Sequence, residues 1–376
     1  MTASLDGLLQ QAREKRDRIY GKTLTFSPKV FLPVTNLCRN RCDYCSFRKS
    51  PGDPGEWTMS PTEVLEVLDR GAKQGCIEAL LCLGDTPETG FQEYRALLRS
   101  WGHESTVDYL FWIAERAFER GMFAHTNAGV LSRDEMKKLR PVNASLGLML
   151  ENISERLCEP GMPHRKAPDK RPHKRVTMTQ EAGALQIPFT SGLLIGIGET
   201  RDERLATIDA IVAMHREHGQ IQEVIVQNFV ARDGIQMANA AEPSVEELCE
   251  TIALTRLAMP DDVSVQAPPN LNAGHLSQLI DAGINDFGGI SPVTPDYINP
   301  GQPWPHLTKL AELCESKGFT LRPRLPLYPQ YLESDRWVDE RIRLPLRALG
   351  EKLQALDTIQ DLPTIHQHSN RLKEAG

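Results

Sequence analysis

Short apolar runs rich in Val, Ile and Leu recur along this chain, separated by segments that carry the marks of amphipathic helices. No other feature restricts the fold so much. Strands with helices between them cannot pair antiparallel through tight turns, so they must lie parallel, with right-handed crossovers placing the helices outside. Eight runs read as strands: VFLPVT at 30–35, IEALLCL at 77–83, MFAHT at 122–126, SLGLML at 145–150, TSGLLIG at 190–196, EVIVQNF at 223–229, VSVQ at 263–266 and INDF at 284–287. Helix starts are marked by S/T-x-x-E capping boxes, Ser60 with Glu63, Ser132 with Glu135, Thr200 with Glu203 and Ser244 with Glu247. In each, the two side chains satisfy backbone N–H groups that a helix start leaves open. SPTEVLEVLDRGAKQG adds Pro61 at the first helical position, Val64, Val67 and Leu68 on one face, and Gly75 as a stop.

Eight such units predict an α/β fold, a (β/α)8 TIM-type barrel; a partial, six-unit barrel is the alternative, because the last two runs are short and weakly periodic. Residues 1–28 read as an N-terminal leader helix and 29–325 as the barrel. Residues 326–376, entered through the Pro-rich LRPRLPLYPQYL, read as a C-terminal extension. The 376 residues are 40% hydrophobic and 25% charged, the balance of a soluble enzyme. A formal net charge of −7 argues against nucleic acid as a partner, since phosphate binding needs a basic surface. One basic run, HRKAPDKRPHKR at 164–175, reads as a solvated loop. No apolar span reaches membrane length and the N-terminus lacks a signal-peptide core, so the expected location is cytoplasmic.

Of eight cysteines, Cys38, Cys42 and Cys45 fall within NLCRNRCDYCSFR, directly after the first strand and therefore at the C-terminal mouth where barrel enzymes place their sites. Cys76, Cys82, Cys158, Cys249 and Cys314 are scattered and read as structural. A structural zinc site needs a fourth thiol or imidazole nearby, and none occurs between Cys45 and Cys76. Three thiolates can instead hold three irons of a [4Fe–4S] cluster, leaving the fourth iron open.

The C-x3-C-x2-C spacing, with Tyr44 before the last cysteine, resembles the cluster loop of the radical S-adenosylmethionine (SAM) superfamily. That resemblance implies that SAM chelates the open iron and is cleaved to a 5′-deoxyadenosyl radical. LCLGDTPE resembles the segment that binds the methionine amino group, with Gly84 and Asp85 in the key places. LLIGIGET resembles the glycine motif beside adenine, with Gly196, Gly198 and Glu199. Glu151 stands where relatives contact the ribose or amino acid part, and Arg175 is a candidate partner for the cofactor carboxylate. DFG at 286–288 is a decoy, with no kinase glycine loop or H-R-D beside it.

Longer stretches, FLPVTNLCRNRCDYCSFR, SLGLMLEN, TSGLLIGIGET, QAPPNLN and INDFGGISPVTPDYINPGQPWP, resemble the 7,8-didemethyl-8-hydroxy-5-deazariboflavin synthase (FO synthase subunit 1) family. The resemblance implies a lyase that forms FO, the deazaflavin chromophore of coenzyme F420, from 5-amino-5-(4-hydroxybenzyl)-6-(D-ribitylimino)uracil. Hydrogen abstraction at the benzylic carbon would precede ring closure and loss of ammonia. It also implies a second radical SAM enzyme, FO synthase subunit 2, that makes the adduct, and an electron donor such as a ferredoxin or flavodoxin. Polar residues at strand ends, His125, Asn127, Gln227, Asn228, Gln266, Asn270 and Asp286, are candidates for holding the uracil and ribityl groups. No catalytic proton carrier is assigned. The alternatives are another radical SAM enzyme of biotin synthase-like or menaquinone-pathway type, or a non-enzymatic metal-binding module.

Overall fold

A computed structural model describes residues 4–366. Its strands are β1 Thr23–Pro33, β2 Glu78–Cys82, β3 Phe123–Asn127, β4 Asn143–Gly147, β5 Phe189–Ile195, β6 Ile221–Asn228, β7 Ser264–Gln266, β8 Asp286–Ile290 and β9 Thr320–Pro323. Every neighbouring pair is parallel, and the ring from β1 through β8 closes where β1 meets β2, Val30 opposite Ala79. The barrel is complete, and the six-unit alternative is excluded. All four capping boxes form as expected, at the starts of the helices Pro61–Lys73, Arg133–Leu139, Arg201–His218 and Val245–Ala258.

β1 begins at Thr23 rather than at Val30, and its length lets it change partners. Thr23–Phe26 pairs with β9, Thr25–Pro28 with β8, and Lys29–Pro33 with β2. The leader helix is correspondingly shorter than residues 1–28, running Leu5–Tyr20 with Ser4 capping the Gly7 N–H. A parallel sheet covered on both faces reads as near-continuous apolar sequence. Val30, Leu32, Ala79, Leu81, Leu146, Val224 and Val265 accordingly sit fully or almost fully buried between sheet and helices. Each buried side chain of Val or Leu size contributes roughly 1.5–3 kcal/mol.

After β9 the chain crosses the N-terminal end of the barrel. Arg324 there reaches Asp286 and Glu223, and the Pro326 carbonyl accepts from Ser145. These partners stand at or near the first residues of β8, β6 and β4, so the crossing segment plugs the bottom of the barrel. Among the described residues no helix is long and apolar enough to cross a membrane.

Candidate active site

The chain leaves β1 through a loop that carries Cys38, Cys42 and Cys45, all half-buried, onto the rim of a cavity of about 360 Å³. The same cavity is walled by Tyr44, Gly84, Asp85, Glu151 and Arg175, and deeper by His125, Asn127, Gln227, Asn228, Gln266 and Asn270. Gly84 is there because nothing larger fits. A Cβ on it would stand 2.0 Å from the Leu37 carbonyl oxygen and 2.6 Å from Cys38 Cβ, so the β2 loop presses directly on the cysteine loop. That approach lets the Asp85 N–H donate to Cys38 Sγ at 3.1 Å.

Burial, followed by the Asp85 carboxylate, pushes the Cys38 thiol up to about 12, and burial raises Cys42 as well. Metal binding removes such protons outright. Among the described residues no three His, Cys, Asp or Glu side chains form a group able to hold a single metal ion. The three thiols border a space instead, which fits a polynuclear cluster. Asn40, in the same loop and on the same cavity wall, has a buried Nδ2 without a partner. Soft donors around a space, with an unmet amide donor beside them, fit an iron–sulfur cluster carrying a polar ligand.

Across the rim stands a charged cluster centred on Glu151. Its backbone adopts φ 62°, a left-handed conformation unusual for a residue with a side chain, just before its carbonyl accepts from Leu194 N–H. Tyr44 Oη donates to Glu151 Oε2 at 2.7 Å and contacts His164 Nε2 at 3.0 Å, while Lys170 pairs with the other carboxylate oxygen. Burial alone would raise Glu151, but Lys170, His164 and Arg175 outweigh it and hold the carboxyl well below its usual range. Arg175 donates to the Met149 carbonyl at 2.8 Å and stands 3.6 Å from Asp85.

His164, Lys170 and Arg175 belong to the basic run that the sequence suggested was a solvated loop; the structure corrects this. His164, Asp169 and Arg175 are buried in it. The run is stitched over the cysteine loop by Arg41 N–H to the Lys166 carbonyl at 2.9 Å, Asp43 N–H to the Pro163 carbonyl at 3.0 Å, and the pairs Arg165–Asp43 and Arg39–Asp169. Arg165 and Lys170 meet Asp43 and Glu151, and Asp169 meets Arg39, partners distant in sequence that no local pattern reveals.

Four predicted residues fall outside the cavity wall. Asp286 is fully buried beneath the floor, where it accepts from Arg324 at 2.6 and 2.9 Å, from Gly288 N–H and from Thr25. Glu199 turns back on its own loop, accepting from the Gly196 and Ile197 N–H groups and pairing with Arg204 at 2.7 Å. Gly196 packs on Pro243, which a Cβ would meet at 2.4 Å, and Gly198 takes φ 101° beside Met162. Of the deeper residues, Gln266 is bonded to Glu223, Asn270 to Asp296 and Asn228 to Asn272, at 2.8–2.9 Å. Asn127 and Gln227 make no side-chain hydrogen bond among the described residues and face the cavity unengaged. Sequence reasoning missed Lys29, Glu78, Glu223 and Arg324, all on the cavity wall, and took Cys82, which also lines it, as purely structural. For Glu78 and Glu223 the available signal was a charge in a largely apolar strand; Arg324, just past β9, carried none.

His125 makes the site sensitive to acid. Burial, reinforced by Lys29 and Arg324 against the opposing pull of Glu78, lowers its pKa from 6.5 to about 4. Below pH 6.5 the unfolded chain takes up a proton at this residue that the folded chain refuses until about pH 4, so stability falls across that window. The full loss for this one group is about 3 kcal/mol. Urea denaturation of wild type and His125→Asn at pH 7 and pH 4.5 should show the variant losing less stability on acidification; equal losses contradict the assignment.

Comparison with known proteins agrees with this geometry. The radical SAM superfamily model matches residues 32–211. The 7,8-didemethyl-8-hydroxy-5-deazariboflavin synthase of Methanopyrus kandleri strain AV19 is 48% identical over 312 residues, covering 82% of this chain and 92% of that protein. The FO synthase of Nocardia farcinica is 45% identical over 349 residues, covering 91% of this chain and 40% of that longer protein. Among solved structures, methylornithine synthase (PylB) shares the fold with a TM-score of 0.66 at 17% identity, covering 84% of this chain and 89% of its own. Identity of this order across most of both sequences, added to a cysteine triad at the mouth of a closed barrel, makes the chain a member of the 7,8-didemethyl-8-hydroxy-5-deazariboflavin synthase family of radical SAM enzymes.

Proposed function

We propose that the chain forms the deazaflavin FO from 5-amino-5-(4-hydroxybenzyl)-6-(D-ribitylimino)uracil, by hydrogen abstraction, ring closure and loss of ammonia. The observation that carries this is one cavity whose rim holds three thiols and whose depth is polar. Cys38, Cys42 and Cys45 would hold a [4Fe–4S] cluster, with SAM beside it on the Glu151 side. When bound, the reduced cluster and SAM supply a carbon radical able to abstract hydrogen.

The protein's own part is to bind, orient and shield. Asp85 and Glu151 offer carboxylates to an ammonium, Arg175 and Lys170 offer cations to a carboxylate, and Asn40 offers an unmet donor. Phe31, Leu80, Leu148, Ile225, Phe229 and Trp304 form an apolar wall between rim and floor that keeps water from a reactive intermediate. A sulfur-inserting enzyme would need ligands for a second cluster; among the described residues only Cys82 lines the cavity besides the triad. With all eight cysteines free, the chain fits a reducing compartment, in keeping with a cytoplasmic enzyme.

One cysteine triad provides one radical-generating centre, whereas joining tyrosine to the uracil and closing the ring are two radical events. A second radical SAM protein is therefore proposed to supply the adduct, and a ferredoxin or flavodoxin the electron. The match to only 40% of the Nocardia FO synthase supports this, since the longer chain has room for the other step. Anaerobic incubation with SAM and a reductant should give fluorescent deazaflavin from the preformed adduct, and none from tyrosine plus the ribityl-diaminouracil. Product from the separate precursors would overturn the division of labour, and no product from the adduct would overturn the function.

A further inference from the structure

Three side chains at the bottom of the cavity remain once the rim cluster and the Arg324 network are assigned. They are Lys29 on β1, Glu78 on β2 and His125 on β3, each 7% exposed and each lining the cavity. The three strands are adjacent, with Lys29 opposite Glu78 and His125 opposite Leu80 in register.

The Lys29 ammonium makes no hydrogen bond or ion pair with any described residue. Its stem lies along Gly289, where a Cβ would come within 2.2 Å of Lys29 Cδ, so the opposite strand is cut back to let it pass. The ammonium ends 4.8 Å from the Trp304 ring centre and 5.4 Å from that of Phe31. Buried ammonium groups are ordinarily hydrogen-bonded. Here the ammonium lines the cavity instead. Glu78, Asp296 and Glu223 are the carboxylates around Lys29, with the Cys82 thiol, and all favour its charged form against the downward pull of burial.

The His125 tautomer follows from its neighbour. Ser145 Oγ donates its single hydrogen to the Pro326 carbonyl at 3.0 Å, so it accepts at 2.6 Å from His125 Nδ1–H. Nε2 is then a bare lone pair, with no partner among the described residues. β1 and β3, on either side of β2, thus offer the cavity one strong donor and one neutral acceptor.

We infer that this floor reads the edge of a cyclic imide, the C=O, N–H, C=O face of a pyrimidinedione, with Lys29 donating to a ring carbonyl oxygen and His125 Nε2 accepting the imide N–H. The inference rests on the proposed substrate and sets its orientation. The uracil ring goes in first, and the hydroxybenzyl arm is left toward the cysteine rim. Glu78, opposite Lys29 in register, favours the charged form against the pull of burial, which makes it a positioning residue for the donor.

The test uses the full chain with its cluster, under anaerobic conditions, and two probes: the adduct and the adduct methylated on the imide nitrogen. Methylation should weaken binding to wild type about tenfold or more, the consequence of leaving a buried acceptor unmet. In His125→Phe that discrimination should disappear. Lys29→Met should weaken binding of both probes by about tenfold or more, with partial recovery in Lys29→Arg. Wild type binding the two probes equally, or Lys29→Met binding the adduct as wild type does, overturns the inference. SAM binding on the same samples identifies a variant that has lost its fold, and the wild-type comparison then decides. If wild type does not convert the adduct at all, the proposed function fails; if it converts the adduct yet ignores methylation, only this inference fails.

Discussion

Cys42→Ala should release no more deoxyadenosine from SAM than a protein-free control, and Cys38→Ala and Cys45→Ala should behave alike. Losing an outer-shell partner of a metal ligand costs about 10–100-fold, so loss of a direct ligand sets a drop of at least about a hundredfold. The barrel should survive the change. All three cysteines sit on a loop at the cavity rim, and none belongs to the core that packs sheet against helices. Circular dichroism and the thermal midpoint should therefore match wild type while iron and sulfide content falls. Cys314→Ala is the opposite case. That thiol is fully buried in the core, and its loss should cost about 1 kcal/mol of stability while leaving iron content intact. Wild-type deoxyadenosine release from Cys42→Ala would refute the ligand assignment.

Arg324→Met should be the most destabilising single change at the barrel floor. One guanidinium donates to Asp286 at 2.6 and 2.9 Å and to Glu223 at 2.9 Å, and both carboxylates are buried. Gln266 and Tyr328 donate to the same Glu223 oxygen at 2.9 and 3.0 Å and Thr190 to the other at 2.9 Å, which hydrogen-bonds both oxygens but brings no positive charge. Removing one partner of a buried ion pair costs about 3–5 kcal/mol, because it strands the other. Here two are stranded. Burial already raises Glu223, with Arg324 pulling it back down, so without Arg324 the carboxyl rises further and takes up a proton more readily. The deficit should therefore be largest near pH 7 and shrink toward pH 5. Urea unfolding at both values measures it, and a loss below about 1 kcal/mol at pH 7 would refute the network's role.

The parts of the fold that the sequence announced are those governed by local rules. A capping box is complete within four residues, and all four formed where they were read. The start of β1 was not legible, because TLTFSPK mixes polar residues with a proline that usually breaks strands. Pro28 is tolerated where β1 hands over from β8 to β2. β9 escaped notice for a related reason: four residues ending in proline carry too short a pattern to register.

The same division runs through the site. Cysteine spacing is a local signal and placed the triad at the cavity mouth. Glu151 and Arg175 reach the rim, yet the partners that tune Glu151, Lys170 and His164, lay inside a basic run that looked solvated. Asp286 was chosen as a polar strand end, but it begins its strand rather than ending it, and faces the plug instead of the cavity mouth. In a parallel barrel, which end of a strand a residue occupies decides whether it meets ligand or structure.

The pairing of β1 with β9 joins residues 23–26 to residues 320–323, almost the whole length of the described chain apart. Arg324, Pro326 and Tyr328, which follow directly, complete the floor beneath Glu223 and Ser145. A nascent chain therefore holds strand β1 with one edge unsatisfied until residues 320–328 have left the ribosome, long after the cysteine loop has emerged. Pairings of such sequence separation form slowly and expose unpaired edges meanwhile. The cysteine loop would therefore emerge before the floor of the pocket behind it can close.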